Sequence, residues 1–437
     1  MQKMPSSMEL VKAAEAVASV DDLLLEILFR LPVKPLLRFK TVSKHWLSLI
    51  TNPKFSLNHS INHCPNPALG LFLPCPSSSP EINPEFEYIH FDIHNPITSP
   101  PFTKLEFAKD SAGITILQSC NGLLLCSSFR AQEPKCCYYV YNPTTKQFFI
   151  LPKPDGLCGG TETDHSRMVH GAILAFNPAK SPHYKVIFVR GSNLGPAYYQ
   201  IEIYSSESGS WRISGDPFSA DDLNFQNGVY WNGSVHWISN HIGTNNTSPL
   251  YFNPDQEMVK EFPLPEITPN NNYVGGAYKI GFFGESNDHL HLIPTNQFEN
   301  DFNVYELKRD YSEWFVKYNV DLIALSNTFP RIIRKQIQIV NSRHCGWNIM
   351  RANLMAITSI CEYLFSVLAL ARGEKQQEED DGFFLVLQIP GKIIRYDLVS
   401  QKFHELCDFE GDQEEYSLRF NSSTTASALY IESLYWV

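Results

Sequence analysis

The sequence predicts a mixed fold, with a small all-α head followed by an all-β propeller of roughly six to eight blades. Three observations predict it. Residues 21–50, DDLLLEILFRLPVKPLLRFKTVSKHWLSLI, pack three short amphipathic segments into one compact stretch. From about residue 114 a degenerate hairpin repeat recurs to the end of the chain. The 437 residues are 43% hydrophobic and only 19% charged, with 29 Phe and 20 Tyr. That composition supports a large core of packed β-structure over disorder, and two or more domains.

In the head, Leu24, Ile27, Leu28 and Leu31 recur at helical spacing and form one stripe. Asp21 and Asp22 stand at its start, where one can cap the open amides and both suit the positive end of the helix dipole. Pro32 ends this helix, and Pro35 suits the first turn of a second one carrying Leu36 and Leu37. Thr41 or Ser43 caps a third, in which Val42, Trp46 and Ile50 repeat every four residues beside Leu49. Asn52-Pro53 stops it. So much apolar surface in so short a segment calls for a covering partner; the plain alternative is an ordinary three-helix core.

Residues 60–101 are dense in Pro and Ser and read as a join with early strands at Leu71-Phe72-Leu73 and Tyr88-Ile89-His90-Phe91. The repeat that follows is a strand ending in an aromatic residue, a polar turn and a second strand. Its copies are Tyr141-Asn142-Pro143 to Phe148, Phe176-Asn177-Pro178 to Tyr184, Tyr204 to Trp211, Phe252-Asn253-Pro254 to Phe262, Tyr305 to Trp314 and Tyr396 to Phe403. Further strands lie between them: Leu123-Leu124-Leu125 after Asn121-Gly122, the hairpin Asn227–Trp237 with an Asn-Gly turn, and His289-Leu290-His291-Leu292. Two hairpins make a four-stranded unit, and about seven units of roughly 45 residues fit into residues 100–437. Residues 323–380 break this rhythm and read as an inserted loop, a partner-binding segment or an aberrant insertion.

The head resembles the F-box. The resemblance rests on Leu24-Leu25-Glu26-Ile27-Leu28, Arg30-Leu31-Pro32-Val33-Lys34, Leu36-Leu37-Arg38-Phe39 and Val42-Ser43-Lys44-His45-Trp46 with Leu49-Ile50. Ser19-Val20 stand where that family has Leu-Pro. The body resembles the F-box-associated domain of plant F-box proteins, through Ser119-Cys120-Asn121-Gly122-Leu123-Leu124, Tyr141-Asn142-Pro143 with Leu151-Pro152, Gly228-Val229-Tyr230-Trp231, Leu387–Ile393 and Tyr430–Leu434. The resemblance implies a kelch-like propeller. Together they divide the chain into a flexible N-terminus (1–18), an F-box (19–60), a join (61–100) and a propeller (101–437).

The resemblance further implies a substrate-recognition subunit of an SCF-type, cullin–RING ubiquitin ligase. The head docks on a Skp-type adaptor and the propeller holds an unknown target protein. Leu24, Ile27, Leu28, Leu31, Pro32, Leu36, Val42, Trp46 and Ile50 are then the adaptor surface or the helix packing that shapes it, with Trp46 as the large anchor. A non-degradative scaffold and a propeller enzyme are the other classes to be weighed.

The residues offer little chemistry of their own. Net charge is −11, which gives no general support to nucleic-acid binding. Residues 1–60 hold eight Lys/Arg against five Asp/Glu and the remainder 27 against 41, so a mildly basic head precedes an acidic body. Glu9, Lys12 and Glu15 interrupt any leader-like run, and no long apolar stretch suggests a membrane span; cytosol or nucleus is expected. The ten cysteines lack a CxxC pair and read as reduced, mostly buried thiols. No catalytic, cofactor or metal constellation is expected. His289 and His291 share a strand face but lack a third ligand in sequence. Trp211, Trp231, Trp237 and Trp314 read as blade core.

Overall fold

The computed structural model of the chain describes residues 20–63, 67–75, 84–93, 100–129, 136–154, 168–242, 248–267, 278–340, 356–373, 382–408, 427–435 and 437. The expected flexible N-terminus and the charge run 374–381 lie outside these residues. Four helices lead: α1 (Asp21–Phe29), α2 (Val33–Phe39), α3 (Lys44–Ile50) and α4 (Pro53–His63). The fourth begins where the third stops. Asn52 Oδ1 accepts the Lys54 amide at 2.9 Å, and Pro53, which lacks an amide to satisfy, takes the first helical position.

The strands form six sheets around a ring. Blade I starts with β1 (Gly70–Pro74) and β2 (Phe86–His90). Blade II is β3 (Ile114–Cys120), β4 (Leu123–Ser128), β5 (Tyr138–Asn142) and β6 (Gln147–Ile150). Blade III is β7 (Val169–Ala175), β8 (Lys185–Ser192), β9 (Gly195–Ser205) and β10 (Ser210–Ser219). Next come β11 (Val229–Trp231), β12 (Ser234–Trp237), β13 (His241–Ile242), β14 (Leu250–Asn253) and β15 (Met258–Glu261). All but β13 make blade IV; β13 joins blade V, which holds β16 (Tyr278–Ser286), β17 (His289–Thr295), β18 (Asp301–Leu307) and β19 (Trp314–Asp321). A short helix α5 (Ile323–Thr328) and a separate two-stranded ribbon, β20 (Ile333–Val340) with β21 (Ala356–Tyr363), precede blade VI. That blade is β22 (Ser366–Arg372), β23 (Phe383–Ile389), β24 (Lys392–Asp397) and β25 (Phe403–Asp408). The last strand, β26 (Ala428–Tyr430), returns to blade I and pairs with β1, Gly70 opposite Tyr430.

Six apolar clusters, each shared by two neighbouring sheets, close the circle. Phe72 and Tyr430 of blade I meet Ile116 and Tyr141 of blade II. Leu125 and Val140 meet Phe176 and Phe188; Ile187 and Ile203 meet Val235 and Trp237. Trp231 and Phe262 meet Leu292 and Leu307; Val304 and Val320 meet Leu385 and Ile394; Phe384 and Ile393 return to Leu71 and Ile89. Arg395 reinforces that last joint, stacking 4.0 Å over the Phe384 ring and donating to Phe91 O at 3.3 Å. The architecture is thus a helical head on a six-bladed propeller. The estimate of seven blades at a fixed period is high because blade I is built from both chain ends and the ribbon occupies sequence without adding a blade.

The four tryptophans expected in the blade core are structural. Trp231 and Trp237 are buried. Trp211 and Trp314, on the outer strands of blades III and V, donate Nε1 to the carbonyls of Pro152 and Pro263 at 2.5 and 2.7 Å. Each proline closes the outer strand of the preceding blade, so the Leu151-Pro152 and Phe262-Pro263 pairs are recurring clasps between blades. Asn121-Gly122 and Asn232-Gly233 make the left-handed two-residue hairpin turns that such dipeptides favour.

Candidate functional site

The head holds the nine residues singled out in sequence, and the structure sorts them into three groups. Leu24, Leu28, Leu36 and Ile50 are buried in the head's own core with Val33 and Phe55. Leu31 and Trp46 pack partly against it; the Trp46 ring meets Phe39 edge to face at 5.3 Å. Ile27 and Val42 are 47% and 58% exposed, and Pro32 is exposed. Val20, Leu23, Leu47 and Ile61, outside the sequence set, are also exposed. Val20, Leu23 and Ile27 follow helical spacing and form an outward stripe on α1. That signal was present in the sequence but overlaps the inward stripe of Leu24 and Leu28.

Local chemistry fixes this arrangement. Ser43 caps α3, its Oγ accepting the Trp46 amide at 3.1 Å. The N-cap of α1 is Val20, which makes no side-chain cap, so the expected capping by an aspartate is not found. Asp21 instead accepts from His45 Nε2 at 2.9 Å, tying the start of α1 to α3 and joining the Val20–Leu23 stripe to the Val42–Leu47 surface. Helix α4 braces the corner from below: Phe55 stacks on Phe29 at 4.8 Å, and His59 Nε2 lies 2.8 Å from Leu31 O.

The propeller offers a second candidate, its central channel. A cavity of about 500 Å³ runs between the inner strands. Asn224, Gln226, Asn227 and Lys279 line one mouth, and Asn121 and Glu285 the other, with Phe282 and Phe283 between. Burial pushes the Glu285 carboxyl up to about 7, although its Oε1 accepts the Asp288 amide at 2.5 Å. His289 and His291 are drawn together by Glu306 of the neighbouring strand, with Nδ1–Oε1 2.9 Å and Nε2–Oε2 3.5 Å. Lys317 approaches the same carboxylate at 3.4 Å, so Glu306 is shared among two imidazoles and an ammonium group. Among the described residues no group of three or more His, Cys, Asp or Glu is placed to hold a metal ion, and no helix is long and apolar enough to cross a membrane. Of the described thiols, Cys120, Cys126 and Cys136 are buried and Cys361 is exposed.

Comparison with known proteins agrees with this two-part geometry. Residues 20–58 match the family model of the F-box domain, and residues 84–310 that of the F-box associated beta propeller domain. The chain is 35% identical to F-box protein At5g07610 of Arabidopsis thaliana, over 91% of this chain and 87% of that one. It is 29% identical to F-box protein At5g49610 (71% of this chain, 81% of that one) and 27% identical to F-box/kelch-repeat protein At3g17530 (60% and 64%), both of the same plant. An α-helical head with an outward apolar stripe, seated on a six-bladed propeller, places this chain in the family of F-box proteins that carry an F-box-associated β-propeller.

Proposed function

We propose that this chain is the substrate-receptor subunit of an SCF-type cullin–RING ubiquitin ligase. Its head docks on a Skp-type adaptor and its propeller holds the protein to be modified. The observation that carries the reading is the division of apolar residues in the head. Four fill its core, while Val20, Leu23, Ile27, Val42, Leu47 and Ile61 remain exposed on a unit of four short helices. An apolar patch of that kind marks a protein interface.

The chain transfers nothing itself in this reading. It raises the effective concentration of a target lysine near activated ubiquitin, so that the bimolecular search is replaced by a tethered encounter. Such a receptor works in the cytosol or nucleus. The full chain should capture a purified Skp-type adaptor and, with cullin, RING subunit and charged E2, direct ubiquitin onto itself or a bound target. Failure to bind any Skp-type adaptor overturns the reading. Binding without ubiquitin transfer favours a scaffold.

A further inference from the structure

Residues 431–435 continue from the closing strand β26 and run between head and propeller. Their side chains alternate between the two bodies, as an extended backbone dictates. Glu432 pairs with Lys34 of the head at 2.7 Å. Ser433 faces the propeller, where its Oγ and carbonyl lie 3.0 and 3.3 Å from Asn142 Nδ2. Leu434, only 4% exposed, completes the head core beside Leu24, Leu28 and Phe55. Tyr435 returns to the propeller, its ring edge-on to Phe176 at 4.9 Å within the cluster between blades II and III. Its hydroxyl lies 3.2 Å from Ser56 O in α4 and 3.4 Å from Pro178 O in the propeller, donating between the two bodies.

The seat is built to receive this segment. Asn142 is fully buried, and its Oδ1 accepts the Thr144 and Thr145 amides at 2.9 and 3.2 Å. That fixes the amide orientation and turns Nδ2 toward Ser433 and toward Tyr435 O, at 2.8 Å. The Ser433 amide donates to Thr144 Oγ1 at 3.2 Å. Gly122, at φ +88°, leaves the space a side chain would take; a Cβ there would stand 2.6 Å from Ser433 Cβ.

We infer that residues 431–435 are a strap that holds the head in one orientation on the propeller, and that Asn142, Leu434 and Tyr435 are positioning residues for ubiquitin delivery. The delivery role rests on the receptor reading above; the mechanical role does not. The strap sets which lysines come within reach of the ligase without touching the adaptor surface, since Ile27 and Val42 lie on the outward side of the head.

The test uses the full chain and two variants, Leu434→Ala/Tyr435→Ala, which removes both anchors, and Tyr435→Phe, which keeps the ring and removes the bridging hydroxyl. Small-angle scattering should show a longer maximum dimension for the double variant. Hydrogen exchange of head amides should quicken about fivefold or more in Tyr435→Phe. In a reconstituted ligase, adaptor affinity should stay within about twofold of the parent while ubiquitin on the chain spreads over a wider set of lysines. If the double variant misfolds, the exchange arm with Tyr435→Phe decides alone. Unchanged exchange and unchanged scattering overturn the strap. An unchanged lysine pattern with a loosened head overturns only its positioning role. A loosened head with no adaptor binding in any form leaves the strap standing and removes the receptor reading.

Discussion

Ile27 and Leu28 are adjacent in the chain, yet the structure gives them opposite tasks, and exchanging each for alanine separates docking from folding. Ile27 is 47% exposed and Val42 58%, while Leu28 is fully buried. Fully covering an aliphatic side chain is worth about 1.5–3 kcal/mol, so the open half of each surface residue contributes about 0.7–1.5 kcal/mol when a partner closes over it. Ile27→Ala with Val42→Ala should therefore weaken adaptor binding by about 1.5–3 kcal/mol, roughly 10- to 150-fold in Kd. Neither residue belongs to the head core, so the melting temperature should not move. Leu28→Ala should instead destabilise the head by about 2–5 kcal/mol, the usual range for a buried Leu. Titration calorimetry against a purified Skp-type adaptor, with circular dichroism melts of each variant, reads both. Adaptor affinity within threefold of the parent in the folded double variant would refute the assignment of this face.

Three further outcomes follow from the propeller. His236 is fully buried between Val229 O (Nδ1, 3.2 Å) and the Tyr311 hydroxyl (Nε2, 2.9 Å); burial holds its pKa down to about 3 against an ordinary 6.5. The folded state keeps it neutral, so its stabilisation is full above pH 6.5 and is lost as pH falls toward 3, by about 2 kcal/mol at pH 5. His236→Gln should accordingly flatten the acid limb of the melting-temperature profile. Glu285 has the opposite sign: burial raises its pKa to about 7, so ionisation costs stability as pH rises from 4.5 through 7. Glu285→Gln should raise the melting temperature at pH 8, by at most about 3 kcal/mol of stability, and change nothing at pH 4. At Gly228 an added Cβ would stand 2.6 Å from Trp237 Nε1 and 2.7 Å from Ile173 Cγ1. Gly228→Ala should therefore cost about 1–3 kcal/mol through overpacking, measured by denaturant titration.

Much of this was legible in the chain. Helical spacing located three of the four helices, and the aromatic hairpin copies at Tyr141, Tyr204, Phe252, Tyr305 and Tyr396 are the outer hairpins of blades II to VI. The sixth copy, Phe176 to Tyr184, instead joins the two inner strands of blade III. Blade I has no copy, because its strands come from residues 70–90 and 428–430 and no local window contains that sheet. Helix α4 was signalled by Asn52-Pro53, a cap and first-turn pair that also reads as a stop. Periodicity could not separate Ile27 from Leu28, because both fall within one broad apolar stripe and only the packing of α4 decides which edge is covered. Contacts such as His236 with Tyr311, or Asn142 with Ser433, span 75 and 291 residues, and no spacing rule reaches them. The strap was hidden for another reason. In Glu432-Ser433-Leu434-Tyr435 both alternate faces are buried, one in each body, so no polar–apolar alternation marks it as a strand.

The position of the head also distinguishes the two ends of the propeller. Antiparallel strands alternate direction, so the connections of each blade divide between two faces. The strap and head rest on the face that carries the turns at 121–122, 143–146 and 176–184. The connections 129–137, 151–168, 238–249 and 262–277 start from strand ends at the opposite face, and the last three are longer than any of those turns. Connections positioned by a rigid scaffold are favoured places for binding specificity. In the proposed receptor reading, a target held on that face would be separated from the adaptor by the depth of the ring. In that reading, changes in those loops would alter what is bound without disturbing either the outward stripe on α1 or the strap that orients it. The same separation demands a rigid joint: if the head swung freely, a target on the far face would sweep a volume many times larger, and the gain in effective concentration would fall with it.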